Sequence, residues 1–236
     1  MKILALDSSG LVASVALLEN DNLVAEFTVN NKKTHSQTLL PMLDEVVNAA
    51  GIELDAVDAI AIAAGPGSFT GLRIGAATVK GLSLALDKPV VPVPTLEGLA
   101  YNFWGSDRLI CPIMDARRNQ VYTGLYRFDE AGNLVTEMDQ IPMDVNELID
   151  LLLEKDEEMQ FTGDGIQVYG SQILSKMKHA RLAPAHLNKQ KAGSVAYAGA
   201  YRYAHEQYIN GDDFAPEYLR MSQAERERKE KGERNE

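Results

Sequence analysis

The run Ile3-Leu-Ala-Leu-Asp-Ser-Ser-Gly10 places four apolar residues directly before an aspartate and a polar turn. An apolar run of this length that ends in turn residues is typical of a strand buried in the centre of a sheet. Two more strands are predicted behind it, at 12–18 and 23–29, the second with alternating apolar positions. Because the connecting turns are short, the three strands form an antiparallel meander.

The spacing of apolar residues then changes from that of strands to that of helices. Apolar side chains recur at helical intervals from 37 to 50, and Gly51 ends this helix. A strand at 57–63, a helix at 71–86 and a short strand at 90–93 follow. This first part of the chain is therefore predicted as βββαβαβ.

The second half of the chain repeats this order. The apolar run 109–114 ends at Asp115, as residues 3–6 end at Asp7. Behind it we expect strands at 120–128, 134–142 and 159–162, and helices at 145–153, at about 166–178 and at 193–210. Two βββαβα units predict an α/β protein with mixed central sheets. Its lobes span 1–100 and 101–220, and the helix at 193–210 is free to pack back on the first lobe.

Charge and composition exclude several classes of protein. The formal net charge is −11, and the tail from Glu225 to Glu236 carries five basic and five acidic residues, so the body keeps the whole excess. An acidic body does not favour direct binding of a phosphate backbone. Without a signal peptide or membrane span, and with the single cysteine Cys111, the sequence predicts a cytoplasmic protein. Residues 221–236 are predicted to be a disordered, charged tail.

A glycine-rich stretch, Gly65-Pro-Gly-Ser-Phe-Thr-Gly-Leu-Arg-Ile-Gly75, joins the strand at 57–63 to the next helix. Amides at such a helix start attract anions, and Arg73 in the first turn favours an anionic partner. The spacing fits neither the dinucleotide fingerprint nor a phosphate loop. Small residues at Gly71, Gly75 and Ala76 equally favour close packing of another helix, so both interpretations stay open.

Asp7 and Asp115 are the candidates for positioning a magnesium-bound nucleotide, with Ser8 and Ser9 as phosphate ligands. The alternative is that each aspartate only caps a turn. No two of the four histidines are four residues apart, so we predict no metal site. The segment around Ser68 lacks the nucleophile-elbow spacing, and we predict no catalytic residue.

The phrases ILALDSSG, THSQTLLPML, AAGPGSFTGLRIGAA and PIMDARRNQVY, with a C-terminal PEYLR, resemble the bacterial TsaB family from residue 1 to about 220. The resemblance implies the two-lobed fold of actin and the sugar kinases (RNase H-like, ASKHA). In those kinases the second aspartate precedes a hairpin rich in Gly and Thr. Here Arg117 and Arg118 follow it, which weakens a kinase interpretation.

The resemblance also implies a function, that of a non-catalytic subunit. Such a subunit binds and organises TsaD, the transferase that forms N6-threonylcarbamoyladenosine next to the anticodon of tRNAs reading A-starting codons. Implied partners are TsaD, the ATPase TsaE and a second copy of the chain; tRNA is reached only through the complex, and no membrane is involved. The candidate cofactor is ATP or ADP with magnesium in the cleft between the lobes. The alternatives are an ATP-binding phosphotransferase and a glycoprotease-like metallopeptidase.

The partner interface is expected on the helices at 37–50 and 71–86. Their apolar residues occupy more than one face of each helix, which favours an interface, although a core role stays open. The predicted interface residues are His35, Leu39, Leu40, Met42, Leu43, Val46, Val47, Phe69, Gly71, Arg73, Gly75, Ala76 and Val79.

Overall fold

The computed structural model describes residues 1–31 and 33–220. The predicted disordered tail, 221–236, lies outside the described residues. The first lobe contains β1 (Lys2–Asp7), β2 (Ala13–Glu19), β3 (Asn22–Val29), α1 (His35–Ala50), β4 (Ala59–Ala63), α2 (Phe69–Leu86) and β5 (Val90–Val93). The short helix α3 (Thr95–Ala100) follows and packs against the second lobe. The strands of the first lobe form one sheet in the order β3-β2-β1-β4-β5. β1 pairs antiparallel with β2 and parallel with β4.

The second lobe repeats this topology. It contains β6 (Leu109–Asp115), β7 (Gln120–Phe128), β8 (Leu134–Asp144), α4 (Val145–Lys155), β9 (Met159–Thr162), α5 (Ile166–Lys176) and β10 (Ala180–Leu182), and α6 (Ala192–Ala204) follows. The sheet order is β10-β9-β6-β7-β8, again with one antiparallel and one parallel neighbour for the central strand. The predicted α/β class with two mixed sheets is confirmed.

Helices cover both faces of the first sheet. α1 and α2 lie on one face, where Leu43 and Val79 join the side chains of Leu6 and Ile62 in a single core. α6 lies on the opposite face and packs its alanines against β1, β2 and β4. A Cβ atom at Gly199 would sit 2.6 Å from the Cβ of Ala61, so the small residues of α6 let it approach the sheet closely.

Several elements differ from the predicted ones, and three of the differences have a physical reason in the structure. The helix predicted for 193–210 ends at Ala204, and just beyond it Glu206 takes a left-handed φ of 59° and the Gln207 amide donates to the carbonyl oxygen of Arg202. Ile209 then pairs with Val90 at the edge of the first sheet. α2 begins at Phe69 rather than 71, since the Ser68 side chain caps it by accepting from the Gly71 amide. α3 was not predicted, because its six residues are too short for a helical period to stand out.

Candidate functional site

The glycine-rich segment packs against the turn after β1. A Cβ at Gly67 would collide with the carbonyl oxygen of Ser9, and one at Gly71 with the carbonyl oxygen of Ser8. A Cβ at Gly75 would meet the Ser8 hydroxyl oxygen. The Ser8–Ser9 turn therefore fills most of the space beside Gly71 and Gly75, and His35 of α1 also lies 3.2 Å from a Cβ built at Gly71.

Hydrogen bonds fix this contact. Ser8 Oγ donates to the carbonyl oxygen of Gly71 at 2.9 Å, and the Ser68 amide donates to the carbonyl oxygen of Ser9 at 2.6 Å. His35 Nε2 donates to the carbonyl oxygen of Gly10 at 2.8 Å, which ties the start of α1 to the same turn. The groups expected to contact a phosphate thus bond to one another.

Asp7 lies behind this turn and is 2% exposed. Its Oδ1 accepts from the Ser9 amide at 2.9 Å and from the Ser9 hydroxyl at 2.7 Å. Burial raises the pKa of Asp7 to about 6, although the two Ser9 hydrogen bonds oppose this shift. The geometry is that of a capped turn in which the carboxylate is kept from solvent.

Asp115 takes the equivalent place in the second lobe and is more open. Its Oδ1 accepts from the Arg117 amide at 2.9 Å, and its Oδ2 lies 3.2 Å from the Arg117 guanidinium. Tyr169 donates to the same carboxylate at 3.4 Å. The Asp115 amide donates to Asp164 Oδ1 at 3.1 Å, and burial raises the pKa of Asp164.

A cavity of about 560 Å³ lies between the lobes. Its walls include residues 9–11 and 66–69 of the first lobe, 114–117, Tyr122, Asp164, Gln167 and Val168 of the second, and the C-terminal residues 217–220. Of the four predicted nucleotide-binding residues, Ser9 and Asp115 border the cavity. Asp7 and Ser8 are buried away from it, at 2% and 1% exposure.

The arrangement does not fit the expected two-aspartate magnesium site. Asp7 is closed off by Ser9 and does not border the cavity, so Asp115 is the one of the two aspartates that does. Among the described residues, no group of three His, Cys, Asp or Glu side chains is placed to hold a metal ion. No reaction step is therefore assigned to magnesium or a magnesium-bound nucleotide in this cavity.

The hairpin after Asp115 holds three consecutive non-glycine residues in the left-handed region. Arg117, Arg118 and Asn119 have φ values of 66°, 57° and 59°. This conformation costs free energy for residues with a Cβ and is tolerated where the surroundings enforce it. Arginines thus stand where a glycine-rich hairpin would adopt the same turn without strain.

Several residues of the cavity were missed by sequence reasoning. Asp164 and Gln167 follow β9, and only the three-dimensional pairing of β9 with β6 brings them beside Asp115. Glu217, Tyr218 and Arg220 belong to the phrase PEYLR, which in the sequence carries only a family resemblance. That resemblance is the one sequence feature that could have pointed to these cavity residues.

Most of the predicted interface residues lie in the core of the first lobe, which corrects the expectation that they form a contact surface. α1 buries one face, with exposures of at most 9% for Leu39, Met42, Leu43, Val46 and Val47. On α2, Ala76 is 7% and Val79 is 0% exposed, and Gly71 and Gly75 are buried against Ser8. These buried residues form one face of each helix, which is turned toward the sheet, whereas Leu40 lies outside that face.

A narrower apolar surface remains on the outside of these helices. We call it the α1–α2 face: Leu40, Pro41, Phe69, Arg73, Ala77, Gly81 and Leu84. Leu40 is 55% and Leu84 is 79% exposed. No heavy atom lies within 4 Å of a Cβ built at Gly81, so the middle of α2 is open. The Arg73 guanidinium lies 3.9 Å from the centre of the half-buried Phe69 ring.

Solved structures share this two-lobed architecture. YeaZ from Pseudomonas aeruginosa aligns with a TM-score of 0.76 at 28% identity, over 92% of this chain and 99% of that chain. The ROK hexokinase from Thermus thermophilus aligns with a TM-score of 0.50 at 13% identity, over 86% and 100%, and shares the fold alone. The chain is thus a two-lobed protein of the ASKHA-type fold class.

Sequence comparisons narrow this class to a family. The tRNA threonylcarbamoyladenosine biosynthesis protein TsaB of Bacillus subtilis is 34% identical over 230 residues, 95% of this chain and 96% of that protein. The family model described as TsaD, tRNA N6-adenosine threonylcarbamoyltransferase, matches residues 22–228. The chain belongs to the family that this model describes and, within it, to the TsaB proteins. No helix in the described part of the chain is long and apolar enough to cross a membrane.

Proposed function

We propose that this chain is a non-catalytic partner subunit of the TsaD transferase in N6-threonylcarbamoyladenosine formation next to the tRNA anticodon. Its TsaB relatives carry the name of this biosynthesis. In this proposal the chain works in the cytoplasm. It pairs with TsaD, with a second copy of itself when TsaD is absent, and with the ATPase TsaE in the larger complex.

The observation that carries the proposal is the exposed apolar stripe on α2. Ala77, Gly81 and Leu84 follow one another at helical spacing, and Leu84 keeps 79% of its surface exposed. Ala77 and Gly81 carry little or no side chain, so a partner helix can approach α2 closely beside the exposed Leu84. Leu40 on α1 is a second exposed apolar side chain on the same side of the first sheet.

The polar groups near the cavity support a role without catalysis. A general base or a phosphate ligand needs a free polar atom that faces the substrate. The Ser8 hydroxyl donates to the carbonyl oxygen of Gly71, and the Ser9 hydroxyl donates to Asp7 Oδ1. Asp115 is paired with Arg117. These bonds hold the turns in place and engage each of these three side chains within the chain itself.

Copurification with TsaD tests this proposal. The two purified chains are mixed and run on size exclusion with and without nucleotide, and the modified nucleoside is measured in tRNA from a strain lacking this chain. We expect a shared elution peak and loss of the modified nucleoside. Separate elution under both conditions, together with normally modified tRNA, would overturn the proposal.

A further inference from the structure

The C-terminal segment Phe214–Arg220 forms a third link between the lobes. The chain crosses from the first lobe to the second between β5 and β6, and it returns between β10 and α6. Behind α6 the backbone follows the first lobe, where Ile209 pairs with Val90. It then runs along the cavity, and residues 217–220 form part of the cavity wall.

One end of this segment is anchored in the first lobe. Phe214 is 2% exposed and belongs to the core beneath α1 and α2. The Glu217 amide donates to the carbonyl oxygen of Ala64 at 2.7 Å, directly beyond the end of β4. The ring of Tyr218 lies 4.6 Å from that of Phe69, measured between ring centres.

Gly65 shows how closely the segment is seated. Its φ is +122°, and a Cβ there would collide with the carbonyl oxygen of Glu217. The glycine-rich stretch therefore makes two close backbone contacts, one with the Ser8–Ser9 turn and one with the segment Phe214–Arg220. If the segment were loosely packed on the surface, a side chain at residue 65 would have room, and no glycine would be required opposite its backbone.

The other end reaches the second lobe. Arg220 Nη1 donates to the carbonyl oxygen of Ala116 at 2.6 Å, beside the Arg117–Asn119 hairpin. Gln140 of β8, also in the second lobe, donates to the carbonyl oxygen of Gly65 at 3.1 Å and to Glu217 Oε2 at 2.6 Å. Second-lobe groups therefore bind both the segment and the loop that seats it.

We propose that Phe214–Arg220 is a clasp that holds the two lobes closed over the inter-lobe cavity. Widening the cavity has to break the Arg220–Ala116 bond and both Gln140 bonds, because each joins one lobe to the other. A charged guanidinium on a carbonyl is a strong hydrogen bond, and its loss leaves the carbonyl without this donor. The clasp sets the angle between the lobes without a bound nucleotide, and it acts whether or not the chain pairs with TsaD.

Distances between spin labels test the clasp in the full chain. Thr70 on α2 and Ser171 on α5 are exposed, and these two helices border the cavity from opposite lobes. Cysteines at these positions carry the labels, and the native Cys111 stays unlabelled because it is buried. We expect one narrow distance distribution for the clasped chain. Arg220→Ala shifts its mean to a larger distance by more than the original width.

Three comparisons decide the outcome. Arg181→Ala removes an exposed arginine from edge strand β10 and leaves the distribution unchanged. The double variant Gln140→Ala with Arg220→Ala opens the lobes further than Arg220→Ala alone. A chain that ends at Ala215 lacks every clasp residue that contacts the second lobe, and its circular dichroism spectrum checks that it folds. If Arg220→Ala and the double variant both keep the distribution of the intact chain, the clasp is refuted, whatever the truncated chain does.

Discussion

The Ser8 hydroxyl donates a 2.9 Å hydrogen bond to the carbonyl oxygen of Gly71, and the Ser8 carbonyl oxygen occupies the place where a side chain on residue 71 would lie. The turn after the first strand and the first turn of α2 are therefore one packed unit. In a nucleotide-binding protein both segments would face a phosphate. Here they face each other, and the missing side chains at Gly71 and Gly75 leave room for this contact.

Gly71→Ala tests that contact. The added methyl group meets backbone rather than a flexible side chain, so we expect the free energy of unfolding to fall by about 1–3 kcal/mol. Gly81→Ala on the same helix is the matched control, since its Cβ has open space around it. It should stabilise the protein by about 0.5–1 kcal/mol through helix propensity. Urea denaturation measures both, and equal effects would contradict the packing.

Asp7→Asn should change how stability depends on pH. The pKa of the folded Asp7 is about 6, against 3.8 for an ordinary aspartate. Between these values the folded chain holds a proton that the unfolded chain has released, so the contribution of this group falls as pH rises from about 4 to about 6. Asparagine keeps an oxygen acceptor for Ser9 but never becomes charged.

We therefore expect Asp7→Asn to be more stable than the unmodified chain by about 2–3 kcal/mol at pH 8, and nearly equal to it at pH 4. Urea denaturation of both chains across this range measures the difference. A variant that is less stable at pH 8 would show that the charged carboxylate helps to hold the turn.

Charges on the α1–α2 face should prevent pairing with TsaD. Leu84→Glu and Leu40→Glu place a carboxylate on exposed apolar positions, so the monomer stays folded while a dry contact loses affinity by tenfold or more, about 1.4 kcal/mol. Leu174→Glu on α5 is the control, because it is also half exposed but lies on the second lobe. Size exclusion with TsaD separates the three variants. If both first-lobe variants still pair normally with TsaD, the interface lies on another surface of the chain.

Titration of the purified chain with magnesium-ATP should give no saturable heat. Asp7 and Ser8 are turned away from the cavity, and the carboxylate of Asp115 is engaged by Arg117. Isothermal calorimetry measures the binding, with Asp115→Asn as the comparison. Saturable binding that Asp115→Asn abolishes would restore the phosphotransferase interpretation.

Cys111 should not react with thiol reagents while the chain is folded. It is fully buried in the second lobe, and burial raises its pKa to about 12, so almost no thiolate exists at neutral pH. Absorbance during reaction with a disulfide reagent should stay flat until urea unfolds the protein. Rapid labelling of the native chain would place Cys111 at an accessible position.

The order of strands and helices could be predicted from the sequence because apolar periodicity carries it. The buried runs that end at Asp7 and Asp115 are the central strands of two equivalent sheets, as predicted. Short or irregular pieces could not be predicted. α3 has too few residues for a period, and beyond the end of α6 at Ala204 the chain pairs Ile209 with a distant residue, Val90.

The candidate site was harder to predict, because exposure and pairing depend on contacts far apart in the chain. Leu43 and Leu40 are both leucines of α1, yet one is 4% and the other 55% exposed. Their spacing gives the helix but not the side that meets the sheet. In the same way, the position of Arg220 in the sequence says nothing of the carbonyl of Ala116, to which it bonds.

By itself the sequence determined a duplicated α/β protein, since local apolar patterns and turn residues act within a few positions of the chain. It also determined the family, through phrases such as GPGSFTGLRIG and DARRNQVY. Only the tertiary structure decided that Asp7 and Ser8 are closed in, that one stripe of α2 stays open, and that the C-terminal segment spans both lobes. Those outcomes depend on which distant groups fill the space beside each residue, because a polar group bonds to whatever partner packing brings within reach.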